Sequence, residues 1–315
     1  MAFYSPDPVM GQILTDLVRA LELDGRPGLA QQLSITWVRY EQSLIGRATD
    51  LSAEQFWALP VQGASWAGER LRYPASVVKL VYLAAVEAWR QADLLVETAE
   101  LRRAVADMIR DSSNDATGLV LDLLTGTTSG PALPPRRMAQ WGEQRQLVNH
   151  WLGELGWPEL VGCNACQKTW GDGPYGREKE FYGANLENRN RLSTDALARL
   201  LQAVTASMLV SPPACARMRS VLARSLDPVQ RAADPENQVD GFIGEGLPAG
   251  SRLWSKAGWM SQARHDAAYV ELPDKDHPLK SSHFLLVIFS EGEACAQDSH
   301  LLPEIAKHLA KSGNR

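Results

Sequence analysis

Strand-type patterning is confined to the two ends of this chain. Leu33-Ser34-Ile35-Thr36-Trp37-Val38-Arg39-Tyr40 alternates apolar and polar residues with β-branched content near the N-terminus, and residues 251–255, 267–272 and 283–290 are strand-like near the C-terminus. Between them, over residues 76–225, apolar side chains recur at helical spacing, in segments 77–88, 99–109, 116–124, 146–155 and 194–208. An isolated two-stranded hairpin is at best marginally stable. Strands separated by a helical middle must therefore pair across the sequence, and one α/β layer is expected from both termini. Met10, Ile13, Leu14, Leu17 and Leu21 open this layer with an amphipathic helix, and residues 301–309 close it with another. Segments 125–145, 162–191 and 226–250, rich in Gly, Pro, Asn and Asp, read as long loops. The middle one is the best candidate to be part of a site.

With 315 residues, 45% of them hydrophobic, the chain can bury a full core. A net charge of -5 offers no basic field to nucleic acid or anionic membranes, so small-molecule or peptide-like partners are expected. The N-terminus lacks the basic and apolar regions of a signal peptide, and no apolar run approaches the ~20 residues of a membrane span. A cytoplasmic location is expected, or a periplasmic one if a leader was removed. The four cysteines make no disulfide framework, and Cys163-Asn164-Ala165-Cys166 lacks the second ligand pair that zinc requires. His150, His277, His283, His300 and His308 show no metal spacing. With no P-loop, dinucleotide fingerprint or G-x-S-x-G elbow either, no metal or cofactor is expected.

Chemistry concentrates in three short motifs. Tyr73-Pro74-Ala75-Ser76-Val77-Val78-Lys79 opens a helix with Pro74 near its first turn. Ser76 and Lys79, three apart, share a face there. The helix N-terminus favours anionic oxygen at Ser76, and a partly buried Lys79 would hold its proton loosely enough to act as a base. A Ser-x-x-Lys arises by chance in many chains, and a capping serine beside a surface lysine would look the same. Two companions add weight: Ser112-Ser113-Asn114, between two helical segments, and Lys256-Ala257-Gly258-Trp259, on a strand where Gly258 allows close approach to the backbone. Alone, the first reads as a capping cluster and the second as a strand ending in an exposed lysine.

In this order and these settings, the three motifs resemble S-x-x-K, S-x-N and K-[ST]-G of the serine β-lactamase and penicillin-binding-protein superfamily, particularly class A β-lactamase-like proteins. The resemblance implies an antiparallel sheet from both termini with flanking helices (1–75 and 241–315), an all-helical middle subdomain (76–240), and an active site between them. It implies Ser76 as the acylated nucleophile and Lys79 or Glu178 as proton acceptor. Ser112 would relay a proton to the leaving nitrogen, Asn114 would bind the substrate's amide, and Lys256 would hold Ser112. The N–H groups of Ser76 and Trp259 would form an oxyanion hole. Glu178, in Glu178-Lys179-Glu180-Phe181-Tyr182, falls over the family's water-activating glutamate when counted back without gaps from Leu192-Ser193-Thr194, although Tyr182 replaces the water-binding Asn. Ala257 replaces the hydroxyl residue that receives a β-lactam carboxylate, leaving Arg264 or His265 as candidates for part of that recognition. The expected activity is acyl-enzyme hydrolysis of an amide or β-lactam bond. An esterase, amidase or peptidase acting on another substrate, and a catalytically idle binding protein of the same fold, are the alternatives.

Overall fold

The computed structural model describes residues 3–46, 51–234, 236–273 and 283–312; His277 lies outside them. Among the described residues seven strands, β1 (Ser5–Pro6), β2 (Leu33–Tyr40), β3 (Gln62–Trp66), β4 (Ala223–Arg224), β5 (Arg252–Met260), β6 (Ala263–Glu271) and β7 (His283–Glu291), form one sheet in the order β1-β3-β2-β7-β6-β5-β4. Every pairing is antiparallel except the short β1–β3 contact. β2 pairs with β7 from Leu33↔Ser290 to Tyr40↔His283, so the sheet is closed by chain ends some 250 residues apart.

Both faces of the sheet are covered, which explains why β7 is apolar on both sides. On one face, Leu14, Leu17, Val18 and Leu21 of the Pro8–Leu23 helix and Leu302, Ile305 and Leu309 of the Leu301–Ser312 helix pack against Ile35, Trp37, Leu286 and Ile288. On the other, Val38, Tyr269, Leu285, Val287 and Phe289 meet the helical middle, centred on the Lys79–Gln91 and Thr194–Thr205 helices. The latter helices are buried on most sides, with Leu80, Val81, Leu83, Leu197, Leu200 and Leu201 in the same core.

Several local expectations change. Segment 125–145 is not all loop: Pro135–Arg145 is a helix, started by Pro135 in its first turn, whose few apolar residues, Met138 and Trp141, pack on Phe181 and leave too weak a stripe to read. Within 162–191 and 226–250 lie short helices at Gly176–Tyr182 and Pro228–Ala233. A further helix, Pro212–Leu222, and the two-residue β4 end the middle section, which had shown no strand signal. β3, Gln-Gly-Ala-Ser-Trp, has no β-branched residue and is a strand through its partners: a Cβ on Gly63 would sit 2.7 Å from the Tyr4 ring. The 251–255 segment extends to Met260, placing Lys256 in mid-strand and fully buried rather than exposed at a strand end. No described helix is long and apolar enough to cross a membrane.

Candidate active site

The chain before Ser76 is fastened to three strands. Arg72 donates to Ser34 Oγ on β2 at 2.9 Å and pairs with Glu291 on β7 at 2.5 Å. On β6, His265 holds the Tyr73 carbonyl through Nε2 at 2.9 Å and accepts from Ser290 N through Nδ1 at 3.0 Å. Those two partners fix a neutral Nε2–H tautomer, and burial pushes the imidazole down to about 4. His265 is thus an anchor for the segment and is not part of the cleft lining. Ala75 follows with φ 45°, a left-handed conformation that costs an L-residue about 1–3 kcal/mol and persists only where neighbours hold it. The 3-10 turn Ala75–Val78 then presents Ser76, and Lys79 begins the α-helix.

β5 approaches this turn so closely that any Cβ at Gly258 would have to push it back. A Cβ on Gly258 would lie 3.0 Å from both Ser76 N and Val77 N. The third motif therefore has a packing reason for its glycine, and the same approach brings Lys256 and Trp259 beside the turn.

Ser112 links the Ala99–Arg110 and Asn114–Thr125 helices, again in a left-handed conformation with φ 54°. Ser113 caps the second helix by accepting from Ala116 N, so the capping reading holds for Ser113 while its neighbours do something else. Lys79 Nζ donates to Ser112 O at 2.5 Å, Asn114 Oδ1 at 2.9 Å and Ser112 Oγ at 3.2 Å. Lys256 Nζ donates to Ser112 Oγ at 3.0 Å, Gln238 Oε1 at 2.6 Å and Ala257 O at 2.6 Å. Two buried ammonium groups thus share one hydroxyl. A hydroxyl has two lone pairs and one hydrogen. With both lone pairs engaged by the lysines, the Ser112 proton is the part left to give.

Neither lysine has a carboxylate within ion-pairing distance among the described residues, and both are fully buried. Burial pushes Lys79 down to about 7. Lys256 is pushed well below its ordinary value by burial first, then by Lys79 and Arg224, with Asp266 opposing.

A cleft of ≈ 430 Å³ opens over these groups; Ser76, Ser112, Asn114, Ala257, Gly258, Trp259 and Arg264 contribute to its lining. Trp259 is 56% exposed there. Its indole N–H and Arg264 Nε donate to the same carbonyl, Ala296 O, and the Arg264 guanidinium lies over the rings of Trp259 and Phe242.

Glu178 is not brought to these residues. Its carboxylate is fully buried and takes bonds from Arg145 at 2.5 Å and Ser129 Oγ at 2.8 Å, with Lys168 at 3.8 Å. Arg145 and Lys168 also bind Asp122. Asp122 stands eight residues beyond Asn114 on one helix, about 12 Å away at 1.5 Å per residue. Gap-free counting across the loop misplaced it, because loop length fixes no register. The side chain that meets Asn114 from this loop is Thr169, whose hydroxyl donates to Asn114 Oδ1 at 2.8 Å. Thr169, Gln238 and Arg224 are contacts that no spacing pattern announced. Cys163 and Cys166 are free thiols, raised by burial to about 11 and 12, at the foot of the loop where Asn164 bridges to Arg191.

A family model described as the beta-lactamase enzyme family matches residues 93–312, well over half of the chain. The chain belongs to the β-lactamase enzyme family. The match spans Ser112, Asn114 and Lys256 of this β-lactamase-family protein but starts beyond Ser76 and Lys79. No curated protein matches it. Among solved structures it is similar to an acyl-enzyme complex of a PBP-A variant with penicillin G (14% identity, 100% and 99% of the two chains, TM-score 0.62). It is also similar to a β-lactamase from Sphaerobacter thermophilus DSM 20745 (18%, 96% and 97%, 0.60) and an ancestral class A β-lactamase (16%, 96% and 99%, 0.58). At such identities the likeness establishes the fold of this β-lactamase-family chain, an α/β sheet with a helical middle, and nothing finer.

Proposed function

We propose that this protein is a serine hydrolase that forms an acyl-enzyme at Ser76 with an amide or β-lactam substrate. The observation that carries the reading is the Ser112 hydroxyl held between Lys79 and Lys256 at the floor of a cleft that Ser76 lines. Lys79, poised near neutrality, takes the Ser76 proton as Oγ attacks the carbonyl carbon. The N–H groups of Ser76 and Trp259 receive the developing oxyanion, a role worth a few kcal/mol per donor. Ser112 passes its proton to the leaving nitrogen and is reprotonated through the lysines. Asn114 and Arg264 contact the substrate. No deacylation role is assigned to Glu178: its Oε1 is held by Arg145 and Ser129, its buried Oε2 has no hydrogen-bond partner among the described residues, and it does not line the cleft.

Ala257 favours a second reading, an esterase, amidase or peptidase acting on a substrate other than a β-lactam. Its methyl group lies where the family's motif supplies a hydroxyl for the substrate carboxylate. Intact-mass analysis after exposure to a fluorophosphonate and, separately, to a penicillin distinguishes the readings when wild type is compared with Ser76→Ala. Ser76-dependent adducts with both reagents are expected. An adduct with the fluorophosphonate alone selects the second reading. No adduct with either removes Ser76 as an activated nucleophile and leaves an idle binding protein.

A further inference from the structure

We infer that Gln238 is a positioning residue for Ser112 and Lys256, a four-point strut between β5 and the C-terminal end of the Ala99–Arg110 helix; the inference rests on the acyl-transfer reading above. Gln238 is buried, and its amide is fully used. Oε1 accepts from Lys256 Nζ at 2.6 Å and from Ala257 N at 3.1 Å, while Nε2 donates to Ile109 O at 3.0 Å and Arg110 O at 2.7 Å. A primary amide has two lone pairs and two N–H groups, so no capacity remains. The orientation is fixed as well. Turning the amide over would set NH₂ against an ammonium and an N–H, and oxygen against two carbonyls.

Each side of the strut meets a need that the site creates. Lys256 has three hydrogens to place in a buried setting, and Gln238 is one of its three acceptors, beside Ser112 Oγ and Ala257 O. The carbonyls of Ile109 and Arg110 belong to the last turn of their helix and have no partner within it. Two residues past Arg110 stands Ser112, whose left-handed backbone must be held by its surroundings. Arg224 on β4 grips the same two carbonyls, through Nη2 to Ile109 O at 2.7 Å and Nη1 to Arg110 O at 3.0 Å, and ties them to Ser255 O. The helix end is thus joined to β5 twice. Arg224 gives the mechanical tie, and Gln238 couples that tie to the Lys256 ammonium.

The charged groups around Lys256 are Lys79 from its helix, Arg224 from β4 and Asp266 from β6. Against this background, Gln238→Leu removes an acceptor and disfavours the ammonium, whereas Gln238→Glu supplies an anion and favours it. The experiment measures Ser76 acylation by a fluorophosphonate against pH, thermal unfolding, and the Lys256 resonance in ε-¹³C-lysine NMR titrations of the full-length variants. Gln238→Leu is expected to slow acylation roughly 10- to 100-fold. Its basic limb and the Lys256 titration should move to lower pH, and those of Gln238→Glu to higher pH. A lowered melting temperature with an unmoved limb and an unmoved Lys256 resonance would reduce Gln238 to a structural contact and overturn the inference. If wild-type Ser76 takes no label, the acyl-transfer reading fails on its own. The lysine titration then still decides about Gln238: opposite shifts in the two variants support the strut, and no shift overturns it.

Discussion

Two clusters of buried charge, one where β5 meets the helical middle and one within that middle, follow opposite rules. Around Ser112, Lys79 and Lys256 face neutral acceptors: a hydroxyl, amide oxygens and backbone carbonyls. Around Glu178, every charge meets its opposite, Arg145 and Lys168 pairing with Glu178 and Asp122. A buried ammonium without a counterion is costly in its charged form and gives up its proton easily. A buried ion pair is stable in its charged form, and breaking it by deleting one partner costs about 3–5 kcal/mol. The first arrangement suits proton transfer and the second suits holding a loop in place.

The sharpest way to break this comparison is at Lys79. Replacing Lys79 with Met keeps an unbranched apolar stem but removes the base, and general-base loss typically costs 10²–10⁴-fold. Acylation of Ser76 is expected to fall about 1,000-fold, while the denaturation midpoint holds or rises because an uncompensated buried charge is gone. Fluorophosphonate labelling rates and urea unfolding measure the two quantities. Wild-type labelling by Lys79→Met would end the assignment.

The paired cluster should respond the other way. Glu178→Gln leaves Arg145 facing a neutral amide, and we expect a loss of about 3 kcal/mol in urea unfolding with the Ser76 labelling rate and acyl-enzyme lifetime unchanged. A longer-lived acyl-enzyme in this variant would return Glu178 to the mechanism.

Acidity sharpens the contrast further. Lys79 acts as a base only when neutral, so acylation should rise with pH through about 7 and drop about tenfold for each unit below it. The linkage sign agrees. Between about 7 and its ordinary value of 10.5, Lys79 binds less proton folded than unfolded, so its contribution to stability grows as pH rises through that window. An acylation rate flat from pH 5 to 8 would contradict this role.

What was readable in the sequence follows the range of the contacts. Ser76 and Lys79 are one helical turn apart, Ser112 and Asn114 are two residues apart, and Lys256 and Gly258 share a strand, so each motif is a local pattern. The pairing of β2 with β7 was readable for a different reason: β2 is the one strand announced near the N-terminus, so a partner is expected at the far end, although its other neighbour, β3, follows it closely in sequence. Glu178 failed because its assignment depended on counting through a loop, where an insertion changes register without leaving a periodic trace. Gln238, Arg224 and Thr169 were invisible for a related reason. Each acts through long-range side-chain contacts made from a loop or a two-residue strand, and nothing in their own neighbourhoods distinguishes them from any other polar residue.

The smallest effect concerns Ala257, where the third motif lacks the family's hydroxyl. Ala257 lines the cleft, and its N–H is already taken by Gln238, so only its side chain can differ in substrate recognition. Ala257→Ser adds a hydroxyl without adding volume that β5 cannot absorb. One hydrogen bond to a substrate carboxylate contributes about 1.5–3 kcal/mol. Acylation by a penicillin should therefore accelerate by about tenfold, whereas labelling by an uncharged fluorophosphonate, which has no carboxylate to bind, should stay at the wild-type rate. Parallel time courses by intact mass separate the outcomes. Faster penicillin acylation means that the cleft of the native protein is one oxygen short of β-lactam recognition. Equal rates with both reagents mean that the substrate approaches from elsewhere along the Trp259–Arg264 wall, and would favour an ester or amide without a carboxylate at that position.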